Sequence, residues 1–368
     1  MKILFVGDYS NLHATLAAEL RRRGHEATVV SDGGGYQHTD CDILLQRGPE
    51  TLGAFRYLRD IFEILPQLRG YDVVQLINPH FFKLRPGKLR YFFSALKRQN
   101  GAICLTLAGN DHIFVRACTR TNLFPYSEFR IGSTPTPFAS ECPERERGYM
   151  RPDVERYDRW IFDSIDGAMS VLYEYDLAAR GELGDRLTYT GIPIDTRLFQ
   201  PSALPQAEQK IILVGTRPGM ATQKGTGILA HAARRIEAET GGEWRLVETG
   251  GLSLREYMDF VRRSHIVLDQ LYALSPATNA LGAMACGRLA ASGGSEEYYN
   301  FIGEHKLRPI VPVSPDADPF EALLPVLTDP EDILRRAREG RELVERHNDV
   351  RVVASRFIDA WSRIMERR

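Results

Sequence analysis

At 368 residues the chain exceeds the usual span of one hydrophobic core, so its length predicts two domains of roughly 150 to 200 residues each. Apolar residues at 43%, aromatics at 10% and a formal charge of −1 describe an ordinary globular chain and exclude the basic excess of a nucleic-acid binder. Cys41, Cys104, Cys118, Cys142 and Cys286 form no CxxC pair and no Cys/His cluster at zinc spacing, which predicts idle thiols in a reducing compartment.

The start, MKILFVGDYSNL, lacks the long apolar core and small-residue cleavage site of a signal peptide, and no window approaches a membrane span. A cytoplasmic location is expected, with peripheral contact at the inner membrane face left open. KILFVG reads as a strand closed by Gly7 and Asp8, LHATLAAELRRRGH as a helix stopped at Gly24, and ATVVS as the next strand. The beat returns in DVVQLIN, the helical KLRYFFSALKRQ, AICLTL, WIFDSI, GAMSVL and LTYTG, which predicts a parallel sheet covered by helices.

Between residues 118 and 151 the rhythm fails, and four prolines in mixed charge predict an irregular loop or lid on the first domain. Residues 1–200 form the expected first domain and 201–209 a Pro-rich linker. KIILVGTR then starts a second strand-helix series over 210–350, with GILAHAARRIEAET, WRLVET, LREYMDFVRRS, HIVLDQL and RLAASGG in turn. Residues 351–368 continue as a helix with Val353, Phe357, Ala360, Trp361 and Ile364 on one stripe, expected to return toward the first domain.

Doubly wound sheets bind ligands beyond the carboxyl ends of their strands, so the residues after each apolar run are the candidates. TRPGMATQKG follows KIILVG: Arg217 and Lys224 flank a loop with Gly215, Gly219 and Gly225 before a helix, an arrangement suited to a diphosphate. SPATNALGAMACGRLAASGG follows HIVLDQL. Ser275 is the expected N-cap, Pro276 the first helical residue and Gly287 the stop, and the small residues suit either close approach to a phosphate or tight helix packing. In the first domain Gly7, Asp8 and Tyr9 follow one strand, His80 another, and Asn110 and Asp111 a third. GxGxxG, GxSxG, HExxH and P-loop motifs are absent.

The order of these segments resembles the retaining GT-B nucleotide-sugar glycosyltransferases of the family 4 type. LTYTGIPIDTRLFQP is similar to that family's junction, VGTRPGMATQKG to its G-R-x-x-x-x-K-G loop, and AMACGRLAASGG to its E-A-M-A-x-G-x-P-V-V segment. The resemblance implies an α/β fold of two doubly wound Rossmann-like domains facing across a cleft. It implies a metal-independent, retaining hexosyl transfer from a UDP- or GDP-type donor to a sugar, glycolipid or small-molecule acceptor, for polysaccharide or glycoconjugate biosynthesis. No cofactor is expected beyond the donor substrate, and the oligomeric state is left open.

Carried over, Arg217 and Lys224 become the diphosphate clamp in the second domain. With the donor thus expected in the second domain and the acceptor in the first, the residues at and after the strand ends are sorted accordingly: Gly215, Gly225, Asp269, Gln270, Ser275, Thr278, Asn279 and Gly282 to the donor site, and Gly7, Asp8, Tyr9, His80 and Asn110 to the acceptor side. Three departures stand out: Leu274 and Gly282 occupy the places of the family's two glutamates, and Ala108 that of its histidine. Asn110, Asp111, Asp269 and Gln270 are the expected compensation, with Asp111 counted among the catalytic residues. The same departures define the alternative, a catalytically silent GT-B scaffold that binds a ligand or protein.

Overall fold

The computed structural model describes residues 1–33, 41–48, 51–206, 208–216 and 219–368. In chain order its strands are β1 (Lys2–Val6), β2 (Glu26–Ser31), β3 (Ile43–Leu44), β4 (Val73–Leu76), β5 (Ala102–Leu107), β6 (Arg130–Ile131), β7 (Thr134–Pro135), β8 (Gly167–Ser170), β9 (Leu187–Tyr189), β10 (Lys210–Thr216), β11 (Trp244–Gly250), β12 (Ile266–Leu268), β13 (Leu289–Ser292) and β14 (Val311–Pro312). The chain divides into two units, one of Met1–Arg116, Arg147–Pro193 and Val350–Arg368, the other of Ala117–Glu146 and Ile194–Asp349.

The first unit holds a seven-stranded sheet in the order β3-β2-β1-β4-β5-β8-β9, parallel at every pairing. Side chains alternate across a strand, so each strand feeds two cores. Leu4, Val6, Val74, Leu76, Ile103 and Leu105 meet Phe92, Phe93 and Leu96 of the helix Pro86–Gln99 and Ile161 and Phe162 of the helix Pro152–Ser164. On the opposite face, Ile3, Phe5, Val73 and Cys104 meet Leu16 and Leu20 of the helix Leu12–Arg22 and Val353, Phe357 and Trp361 of the helix Val350–Glu366.

A polar rod crosses this second core. Trp361 Nε1 donates to Gln75 Oε1 at 2.8 Å, and Gln75 Nε2 donates to Thr106 Oγ1 at 2.9 Å. The hydroxyl of Thr106 lies 2.9 Å from His13 Nε2, whose Nδ1 is 2.7 Å from the carbonyl of Gly7. Every group is satisfied when His13 carries its proton on Nδ1 and accepts from Thr106, which is the neutral ring. Burial favours the same state, pushing the His13 pKa down to about 3.

The second unit holds a five-stranded sheet in the order β11-β10-β12-β13-β14, again parallel throughout. Ile212, Val214, Ile266, Leu268 and Ala291 pack under Leu229, Ala233 and Ile236 of the helix Thr226–Glu239. Leu213 and Val267 face Met258 and Val261 of the helix Leu254–Arg263 and Ala283 and Cys286 near the helix Thr278–Ala285. Arg288 is fully buried, and its guanidinium donates to the carbonyls of Ser202 (2.9 Å) and Arg262 (2.7 Å) and to Ser202 Oγ (2.6 Å). The Pro-rich linker is thereby pinned to the second sheet, and His265 Nε2 adds a contact of 3.1 Å to the carbonyl of Pro205.

Three expectations are corrected. The irregular segment expected on the first domain groups with the second unit over Ala117–Glu146. It forms the antiparallel β6–β7 hairpin and the helix Pro137–Glu141, packs Ile131 against the second core, and takes a 2.7 Å bond at Glu128 from Gln223 Nε2. Its apolar residues are too sparse for a core of their own, so they borrow that of the second sheet. The unit boundary falls at Ile194, ahead of residue 200, because Ile194 N–H donates to the Asn348 carbonyl at 2.8 Å and Thr196 donates to Asp349. The helix expected from Pro276 begins at Thr278 with Ala277 as cap, since the preceding backbone runs extended beside Gly293 and accepts at the Leu274 carbonyl from Ser295 N–H. The stop at Gly287 stands: φ is 73°, and Gly287 and Arg288 donate to the Met284 and Ala283 carbonyls as a Schellman motif.

Trp361→Phe keeps the packing but strands Gln75 Oε1 in the core, a loss of roughly 1–3 kcal/mol. Thermal unfolding is expected to show a midpoint several degrees lower, and an unchanged midpoint contradicts the role given to the rod.

Candidate functional site

In the second sheet the strand order reverses between β10 and β12, which opens a crevice beyond Thr216 and Leu268. Asp269, the residue after β12, is wholly buried and lies 3.8 Å through Oδ1 from Lys224 Nζ. That oxygen has no hydrogen-bond partner among the described residues, while Oδ2 lies 3.5 Å from Ser292 Oγ at the end of β13. At 3.8 Å the two charges attract without a hydrogen bond, so the ammonium keeps its N–H donors for a ligand.

Lys224 is positioned by its backbone. It ends the short helix Ala221–Lys224, its carbonyl accepts from Leu271 N–H at 2.9 Å, and the chain turns at Gly225 with φ 68°. A Cβ on Gly225 would lie 2.8 Å from Leu271 Cβ, so a larger residue would displace the lysine. Thr226 Oγ1 bridges back to Thr216 Oγ1 at 3.1 Å.

Tyr257 lies over Gly215, where an added Cβ would be 2.6 Å from its ring, and its hydroxyl donates to Asn279 Oδ1 at 2.6 Å. Burial and the nearby Asp269 raise its pKa. The structure thus brings Gly215, Lys224, Gly225, Asp269 and Asn279 into one region, with half-buried Gln270 directly after Asp269. Ser275 is buried before the helix, Thr278 is its first residue, and Gly282 faces Phe199, whose ring lies 3.3 Å from the place of a Cβ. The smallness at 282 therefore has a packing cause. Arg217 lies outside the described residues.

In the first sheet the order reverses between β1 and β4, and an open hollow sits at their carboxyl ends, lined by Gly7, Asp8, Tyr9, Asp32, His80 and Lys83 among others. Asp8 turns its carboxylate onto the helix behind it, Oδ1 accepting from His13 N–H at 3.0 Å and Oδ2 from Ala14 N–H at 3.1 Å. Its burial outweighs those bonds and raises its pKa to about 6. Ser10 and Asn11 hold φ of 54° and 62°, a left-handed turn that this cap helps to secure.

His80 Nε2 lies 3.1 Å from Oδ1 of Asp158, a fully buried carboxylate whose Oδ2 accepts from His112 N–H at 2.8 Å. Despite burial, the Asp158 bond and charge leave the His80 pKa raised. Asp111 turns Oδ1 onto the N–H of Phe114 at 2.8 Å, capping its own helix, and burial beside Asp158 raises its pKa. The Asn110 carbonyl is 3.4 Å from Asn78 Nδ2. Sequence reasoning missed His13, Asp158 and Tyr257. Each lies inside a helix whose apolar spacing explains it without reference to a ligand. Among the described residues no group of three His, Cys, Asp or Glu side chains is placed to hold a metal, and no helix is long and apolar enough to cross a membrane.

No protein-family model matches the chain, and no curated protein sequence matches it. Solved structures do. Sucrose-phosphate synthase from Thermosynechococcus elongatus matches with a TM-score of 0.66 at 15% identity over 100% of both chains. Anabaena Alr3699/HepE in complex with UDP and glucose matches with a TM-score of 0.61 at 14% identity over 98% of this chain and 99% of that one. A glycosyltransferase from Rickettsia africae matches with a TM-score of 0.58 at 14% identity over 100% and 98%. The chain has the GT-B fold of glycosyltransferases.

The buried Asp8 generates a pH prediction. Its pKa is about 6 in the folded chain against an ordinary 3.8, so the folded state holds the proton longer, and stability present below pH 4 is lost as pH rises through 6. Asp8→Asn cannot ionise. Scanning calorimetry at pH 4 and pH 7 should show a smaller pH-dependent fall in its melting temperature than in the parent's, and equal falls refute the assignment.

Proposed function

We propose that the chain is a glycosyltransferase that moves a hexosyl group from a nucleotide sugar to a hydroxyl acceptor. The carrying observation is Lys224, whose ammonium stands at the switch point of the second sheet, 3.8 Å from a fully buried carboxylate and free to donate hydrogen bonds to a ligand. A diphosphate leaving group develops charge as the glycosidic bond opens, and a preorganised cation there lowers the barrier. Arg217, seven residues before Lys224 in the sequence, is assigned to the same anion as a planar fork.

The HepE structures with UDP and with UDP-glucose support a uridine donor, since those proteins share this fold. Tyr257, Asn279 and Gln270 are proposed to hold hydroxyls of the donor, the work that carboxylates at positions 274 and 282 would otherwise do. Leu274 is buried, so a carboxylate there would lose its water, and Gly282 is packed on Phe199, so a side chain there would press on that ring. The hollow at β1 and β4 is assigned to the acceptor. Reaction with retention and without a metal ion belongs to the same proposal, and the configuration of the product's anomeric proton tests the first part by NMR.

Calorimetric titration with UDP- and GDP-sugars should show binding by the parent chain and its loss in Lys224→Ala. Turnover in that variant should fall about 10²- to 10³-fold. No binding of any nucleotide sugar, or equal binding by the variant, sinks the proposal.

A further inference from the structure

Resting on that transferase reading, the hollow of the first unit speaks to the charge of the acceptor. We infer that it takes an uncharged, hydroxyl-rich compound and discriminates against phosphorylated sugars. A phosphate site needs a free cation, or helix N-terminal amides left open. Among the described residues lining this hollow, each cation faces a carboxylate, and the nearest helix amides are already taken.

The helix Leu12–Arg22 starts directly behind the hollow, but Asp8 occupies its first amides with both carboxylate oxygens. An incoming phosphate would have to displace a covalently tethered carboxylate from that position. Lys83 is the one lysine or arginine among the described residues lining the hollow, and its ammonium contacts the carboxylate of Asp32 on the same wall. His80 turns Nε2 to Asp158. Arg47, beside the wall, donates to the Lys83 carbonyl at 2.7 Å. With Asp32 facing Lys83, Asp158 facing His80 and Asp8 in addition, the hollow has no cation without a facing carboxylate among its described lining residues, and it offers a phosphate little attraction.

The same wall suits hydroxyls. His80 Nδ1 is the ring nitrogen left for a ligand once Nε2 is committed, and the phenols of Tyr9 and Tyr57 add groups that both donate and accept. Phe81 and Phe82, with ring centroids 5.0 Å apart and planes inclined at 55°, add apolar surface for the C–H face of a sugar ring. Tyr9 is 42% exposed and stands at the mouth against Gly109, where an added Cβ would lie 3.1 Å from its ring. Aromatic surface with paired charges describes a neutral polyol site.

The test uses the full chain without donor, so it remains readable if donor binding fails. Saturation-transfer NMR at millimolar concentration compares neutral hexoses and disaccharides with their monophosphates. The parent chain should bind at least one neutral sugar at least ~10-fold more tightly than its phosphate, since like charges meeting in a site are strongly unfavourable. Tyr9→Ala should lose the neutral sugar, which places binding in this hollow. Asp32→Asn, which releases Lys83, should narrow the gap by raising affinity for the phosphate. Tighter binding of a phosphorylated sugar by the parent overturns the inference. So do neutral-sugar binding that survives Tyr9→Ala and the absence of binding by every neutral sugar tested.

Discussion

Parallel strand pairing is the constraint on which both units depend. Every ladder in the two large sheets is parallel, so every connection must cross over one face, and the apolar residues of each strand are covered on both sides. In each sheet the crossovers change direction once, at β1/β4 and at β10/β12. Only there do two neighbouring strand ends have their following loops diverge and leave room for a ligand. Lys224 and Asp269 flank one of these places, and Asp8 and His80 the other.

The two places handle charge differently. Beside β12 a buried carboxylate keeps one oxygen without a hydrogen-bond partner and holds an ammonium at a distance that leaves its donors available. Beside β1 the carboxylate of Asp8 is saturated by helix amides, and the nearby cations of Lys83 and His80 each face a carboxylate. The first arrangement is suited to an anion and the second to hydroxyls. Behind the second lies the rod from Gly7 through His13, Thr106 and Gln75 to Trp361, a chain of neutral hydrogen bonds that ties the β1 loop to the last helix.

The small residues from Ser275 to Gly294 are largely accounted for by packing. Gly282 receives Phe199, Gly287 supplies the left-handed turn after the helix, Gly293 lies against the Ala273 carbonyl, and Gly294 against Ile310. Asn279, through its bond to Tyr257, and Ser292, whose hydroxyl lies 3.5 Å from Asp269 Oδ2, are polar members of the segment whose side chains reach the Lys224 and Asp269 region. The donor-site reading of this stretch thus shifts from its glycines to two polar residues.

Much of the fold was legible in the chain itself. The apolar runs at β1, β2, β4, β5 and β8 to β13 each end in turn residues, and the helices between them show their apolar spacing, because local hydrophobic period follows backbone geometry. Strand ends then pointed to Lys224, Asp269, Asp8 and His80. The strands β3 and β14, two residues each, carry too little sequence to show a period. Tertiary structure alone decided that Ala117–Glu146 joins the second unit, that Asp8 and Asp111 cap their own helices, and that Asp158 stands behind His80. These outcomes depend on partners distant in sequence or on which way a side chain turns, and neither is encoded in the spacing of residues along the chain.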